Sequence, residues 1–287
     1  MRIHVIQTGT VAIKQVQRHG RTSGNPVVNM LRDPSWTEPL PIYAFVIEHL
    51  EGLIVVDTGE TARVAERGYL PWWHPYFRFA LREWVQPEEE IGPQMRAVGF
   101  DPQDVRWVLL THLHTDHAGG LAHFPNAEHL LARREYENDS GVLGMLRGFL
   151  PNRWPDWFRP TLIDMQPEPV GPFPSSYRVT QAGDVHFVPT PGHTPGHLSV
   201  VVTTADVSYF LAGDASYTQD LMLAEQIDGV ANDRITARRP LGQIHAFCRA
   251  RPTVYLPTHD PDTPERLANH QAAVTQSPQT ALMVGAG

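Results

Sequence analysis

The sequence predicts a four-layer α/β sandwich, with two β-sheets packed face to face and helices outside them. Short β-branched, apolar runs bounded by turn residues recur along the chain. They come first as a meander and then alternate with helical patterns. A chain of 287 residues that is 41% hydrophobic also has enough apolar material for one large core or two modest ones. We read it as a single domain over 1–287.

Taken in order, the opening run alternates apolar and polar residues and predicts a strand over 3–8. Residues 14–41 are polar and rich in Gly, Pro and Asn, as expected of an extended arm or long loop. Apolar runs predict strands over 42–49 and 53–57. Residues 68–90 then hold Tyr69, Trp72, Trp73, Tyr76, Phe77, Phe79 and Trp84, an aromatic density unusual for disorder. A helix is expected over 91–98, a strand over 107–111, a helix over 115–123 and a strand over 129–132. Trp154, Trp157 and Phe158, among prolines and glycines, mark 140–176 as an irregular surface excursion. Strands follow over 185–189, 199–203 and 209–213, then a helix over 241–251, a strand over 254–257 and a helix over 265–273.

Composition narrows the function. The net charge is −8 and the 23 basic residues are scattered. A nucleic-acid surface needs a basic stripe to displace phosphate counterions, and none is visible. Cys248 is the single cysteine, so neither an internal disulfide nor a thiolate metal cluster can form. Its apolar helical setting reads as inert core. The first residues lack the apolar core of a signal peptide, and no apolar run approaches the ~20 residues a membrane span requires. A soluble, cytoplasmic protein with no membrane partner is expected.

The chemistry is concentrated in Thr111-His112-Leu113-His114-Thr115-Asp116-His117-Ala118-Gly119-Gly120. This string begins where a buried strand is expected to end. His112 and His114, two apart on extended backbone, point to one side. Asp116 and His117 fall where the chain turns into a helix. Four ligand-type side chains in six residues cannot all serve one tetrahedral ion, so two adjacent ions are the natural solution. Other strands repeat the placement. The run 185–189 leads to His193, 209–212 to Asp214, and 254–257 to His259. Side chains delivered beyond C-terminal strand ends converge on rigid supports.

These residues resemble the metallo-β-lactamase superfamily. The likeness rests on the HxHxDH string at 112–117 followed by His193, Asp214 and His259, and covers most of the chain. It implies the superfamily's αββα fold, with His112, His114 and His193 on one metal ion. Asp116, His117 and His259 would hold the second, and Asp214 would bridge both. Two divalent ions are implied, zinc first, with cobalt, manganese or iron accepted by the same donors. Redox members of the flavodiiron type carry a carboxylate where His114 stands, which argues against oxygen chemistry. Members that hydrolyse β-lactams usually have another ligand, often cysteine, in place of Asp214.

Within the superfamily the chain looks most like the N-acyl homoserine lactone lactonases, the quorum-quenching enzymes. Those carry a tyrosine three residues after the bridging aspartate, and Gly213-Asp214-Ala215-Ser216-Tyr217 matches. The similarity extends to Thr8-Gly9-Thr10 and Val56-Asp57-Thr58-Gly59. It implies opening of the lactone ring by a metal-bridging hydroxide, with Tyr217 stabilising the oxyanion and Asp116 passing a proton to the leaving oxygen. A homodimer, built on the 14–41 segment, is also implied, and the aromatic residues of 68–84 are candidates for an acyl-channel wall. The alternative is a metal-dependent aryl-ester or organophosphate triester hydrolase. A glyoxalase-II-like thioesterase is disfavoured because Lys14 is the only lysine, and a non-catalytic metal-binding module because structural sites usually close every coordination position. A packing role is the plain alternative for Tyr217. Asp57 is expected to support rather than react, and His197 to be structural.

Overall fold

The computed structural model describes residues 1–20, 24–231 and 233–274. The first sheet takes strands β1 (Arg2–Ile13), β2 (Leu40–His49), β3 (Gly52–Val56), β4 (Leu81–Trp84), β5 (Val105–Leu109), β6 (Glu128–Ala132) and β7 (Thr161–Ile163). Its order is β4-β1-β2-β3-β5-β6-β7. The second takes β8 (Tyr177–Arg178), β9 (Val185–Pro189), β10 (Leu198–Thr203), β11 (Ser208–Gly213) and β12 (Thr253–Pro257), in order β12-β11-β10-β9-β8. The early strands β1, β2 and β3 form the antiparallel meander, whereas β3, β5, β6 and β7 run parallel.

Strand periodicity explains the layering. On β2, Tyr43, Phe45 and Ile47 face the second sheet, while Ala44 and Val46 face the outer helices. Leu198, Val200 and Val202 of β10 face inward, and Val201 faces out. Between the sheets these side chains meet Phe187, Leu211, Val254 and Leu256 in one apolar layer. Ile91 and Met95 of the helix Ile91–Ala97 cover the far side of the first sheet. Leu241, Ile244, Phe247 and Cys248 of the helix Arg234–Ala250 cover the second. The expected α/β/β/α sandwich is the observed architecture.

Several elements differ from their expected form. β1 does not stop at Thr8: Gly9, at φ 101°, takes up an irregularity in the β1–β2 register and the strand continues to Ile13. Residues 14–41 are not a single arm. They hold the helices Gln15–His19 and Pro26–Arg32, and residues 21–23 of the segment lie outside the described residues. Asn25 starts the second helix by accepting the Val28 N–H, with Pro26 in its first turn. The aromatic stretch 68–90 contains the helix Pro75–Phe79 and the edge strand β4. The excursion 140–176 holds the helix Gly141–Arg147 and the short strand β7. The helix Arg234–Ala250 begins seven residues before the expected 241 and runs through Pro240. The final helix is shorter than expected, Thr263–Ala268, and the chain leaves it through His270 at φ 49°.

Candidate metal centre

The two sheets place their C-terminal strand tips at one edge of the sandwich. His112 follows β5 by three residues, His193 follows β9 by four, Asp214 directly follows β11, and His259 lies two beyond β12. Asp116 and His117 sit on the single helical turn Thr115–Ala118. The structure brings all seven side chains together. Three groupings have ligand atoms within 4.8 Å of one another: His112, His114 and His193; His112, His117 and Asp214; and Asp116, His117 and His259.

Ring orientation is specific. His114 Nδ1 lies 3.0 Å from His112 Nε2 and 3.0 Å from His193 Nε2, so three imidazole nitrogens point at one locus. Asp116 Oδ2 is 3.4 Å from His259 Nε2, and Asp116 Oδ1 is 3.9 Å from His117 Nε2, which defines a second locus. Asp214 spans the two. Its Oδ2 is 3.3 Å from His193 Nε2, and its Oδ1 is 3.3 Å from both His117 Nε2 and His259 Nε2.

The far nitrogens of these rings are also held. His117 Nδ1 is 2.8 Å from Asp57 Oδ2, His193 Nδ1 is 2.8 Å from Asp228 Oδ2, and His259 Nδ1 donates to the Pro41 carbonyl at 2.8 Å. His112 Nδ1 meets Thr111 Oγ1 at 3.0 Å, and that hydroxyl donates to Asp57 Oδ2. Each of these contacts fixes which nitrogen faces the site. Asp57 also accepts the Thr111 N–H and adopts φ 56°, a costly conformation for a non-glycine residue that its three hydrogen bonds to Thr111 and His117 maintain. His197 stays outside the cluster: its Nε2 accepts the Asp214 N–H, and its Nδ1 meets Thr190 Oγ1. Gly213 makes that approach possible, because a Cβ there would come 2.8 Å from His197 Nε2 at φ +56°.

Charge balance shows what is wanted here. Burial, then the neighbouring His117 and His114, push His112 well below the ordinary histidine range, and burial with His193 lowers His114 to about 3. Burial alone would raise the Asp214 carboxyl, yet His259, His117 and His193 hold it well below the usual carboxylate range. The residues lining the cleft include no lysine or arginine, so the buried carboxylates have only imidazoles to offset them. His117 Nε2 and Asp214 Oδ1 are buried with no hydrogen-bond partner. Orphaned ligand atoms and imidazole-rich donors beside buried carboxylates fit divalent cations at both loci.

Sequence reasoning missed several supports. Asp228 sits in a Gly-Val loop with no pattern to mark it, and Glu135 accepts from Leu113 N, Thr194 Oγ1 and Gly196 N, tying two ligand loops together. Phe149 stacks on His114 at 4.8 Å between ring centroids. Of the aromatic segment, Tyr76 and Phe77 line the cleft, whereas Trp72 and Trp73 line a separate hollow with Tyr69 and Arg153. Tyr217 is buried in the cleft wall, its ring stacked on His259 at 5.7 Å.

This fold and site define a class. The chain belongs to the metallo-beta-lactamase superfamily, whose family model matches residues 37–243. Among its relatives, the N-acyl homoserine lactonase AttM of Rhizobium radiobacter is 28% identical over 278 residues, covering 91% of this chain and 94% of its own. An N-acyl homoserine lactonase of a Bacillus species is 30% identical over 202 residues, 67% of this chain and 71% of that protein. The fold also matches a solved N-acyl homoserine lactone hydrolase carrying N-hexanoyl-L-homoserine at its catalytic metal centre. There the TM-score is 0.72 at 21% identity, over 92% of this chain and 95% of that one.

Proposed function

We propose that this protein is a dinuclear metal hydrolase that opens the lactone ring of N-acyl homoserine lactones. The observation that carries the reading is the Asp214 carboxylate, whose two oxygens face the two histidine clusters beside the buried Tyr217 ring. The lactonase names of the relatives along most of the chain support the choice of substrate.

In this reading His112, His114 and His193 hold one cation, Asp116, His117 and His259 hold the other, and Asp214 joins them. Bound there, two divalent cations supply an activated water and a Lewis-acid hold on the ester oxygens. The chain's own residues do the rest. The Tyr217 O–H donates to the carbonyl oxygen as negative charge develops on it. Burial first, and then the Asp214 charge, raise that phenol well above its ordinary range, so it stays a donor. Asp116, with His114, is one of two members of the set that remain partly exposed, and it carries the proton to the departing ring oxygen. Val11, Ile13, Phe77 and Leu81 give the cleft an apolar wall for an acyl chain.

We take the metal to be zinc, since five neutral imidazoles and carboxylates without thiolate suit it. We also take the protein to be cytoplasmic, in keeping with its one buried cysteine, and to act on a small molecule rather than nucleic acid or membrane. No helix among the described residues is long and apolar enough to cross a membrane. A homodimer is in keeping with exposed Val27, Val28 and Leu31 on one short helix. Comparing kcat/KM for an N-acyl homoserine lactone and a phosphotriester tests the function. The lactone should win by orders of magnitude. A triester preferred by that margin sinks the lactonase reading and leaves the sibling esterase.

A further inference from the structure

Gln17, Tyr76, Glu83 and Thr115 line the cleft without a part in the metal chemistry, and Gln17 among them is placed to act on Tyr217. Gln17, on the helix Gln15–His19, is 3% exposed and lines the cleft beside Tyr76 and Tyr217. Its Nε2 donates to the Tyr217 hydroxyl at 3.2 Å and to the Tyr76 hydroxyl at 3.1 Å. A primary amide has two N–H hydrogens, so both are spent. Its carbonyl Oε1 is buried with no hydrogen-bond partner. A lone acceptor in such a place is unfavourable until a ligand brings a donor. The direction of the Tyr217 bond matters too. A hydroxyl that accepts from Gln17 keeps its own proton free for another oxygen.

We propose that Gln17 is a specificity-determining residue that recognises the acyl-amide group of the substrate through Oε1 while its Nε2 positions the Tyr217 phenol. The inference rests on the lactonase reading, because it takes Tyr217 at the carbonyl and an acylamino lactone as the ligand. An N-acylated lactone carries an amide N–H, and a lactone with a carbon-linked chain does not. Loss of the hydrogen bond to a built acceptor is the kind of difference that discriminates strongly between such substrates.

The test uses metal-loaded enzyme, N-hexanoyl homoserine lactone and a γ-lactone bearing an alkyl chain of equal length. In Gln17→Leu, and in Gln17→Met as a second variant, the preference for the amide-bearing lactone should fall roughly 10- to 100-fold. Thermal midpoint and metal content, measured alongside, should match the wild type. Tyr217→Phe should lower both lactones by similar factors and leave the preference standing. On the amide-free lactone, adding Gln17→Leu to Tyr217→Phe should cost little more, as expected of groups that act through one another. Equal losses on both lactones in the Gln17 variants, or an unchanged preference, overturn amide recognition. Additive losses in the double variant overturn the positioning of Tyr217. If the wild type opens neither lactone, the lactonase reading itself fails and takes this inference with it.

Discussion

Each ring in the cluster must present the correct nitrogen, and the residues behind the rings decide this. Asp57, Asp228 and the Pro41 carbonyl each occupy the far nitrogen of one histidine. Removing such a support leaves the donor in place but lets it turn. Asp228→Ala should therefore weaken metal retention roughly 10- to 100-fold, read as metal content after dialysis against a graded chelator. Retention equal to wild type would make Asp228 a loop-turn residue only, since it also accepts from Val230 N and Ala231 N. Tyr217→Phe should cost about 1–3 kcal/mol in kcat/KM with metal content unchanged. An unaltered kcat/KM would return the ring to packing against His259.

The strand is the unit that makes the site rigid, and strands were also the most legible part of the chain. The runs at 42–49, 185–189 and 254–257 were visible because alternating apolar residues face two different hydrophobic layers. The seven clustered side chains were visible for the same reason, since each follows a readable strand tip or belongs to the HxHxDH string. What escaped was held by tertiary contact rather than pattern. β4 pairs only at the sheet edge with β1, and β8 is two residues long. Pro240 lies within the helix Arg234–Ala250 although proline ordinarily marks a helix boundary. Gln17 lies in a polar stretch that reads as loop, and only the fold carries it to the cleft. Two element-scale predictions separate support from chemistry. Phe187→Ala opens the layer between the sheets at a fully buried position and should cost roughly 3–5 kcal/mol of stability. Chemical denaturation reads this, and the metal stoichiometry of the folded fraction should stay unchanged. Gly213→Ala should lose activity and stability together, because its Cβ would strike His197 and Thr111 at a left-handed φ. A Gly213→Ala protein with wild-type turnover would contradict that crowding.

At the scale of the molecule, the proposed centre would staple two sheets whose strand tips carry buried carboxylates. Cations that bind the folded state alone stabilise it by mass action. Stripping them with a chelator should abolish activity and lower the thermal midpoint, and both should return when zinc is added back. A midpoint indifferent to the chelator would mean that the sheets close without the ions. The most direct test of the central claim is anomalous diffraction from crystals of metal-loaded protein. The account predicts two peaks about 3.5–4 Å apart, one among His112, His114 and His193 and one among Asp116, His117 and His259, with Asp214 touching both. A single peak, or none within reach of these side chains in active protein, would contradict it.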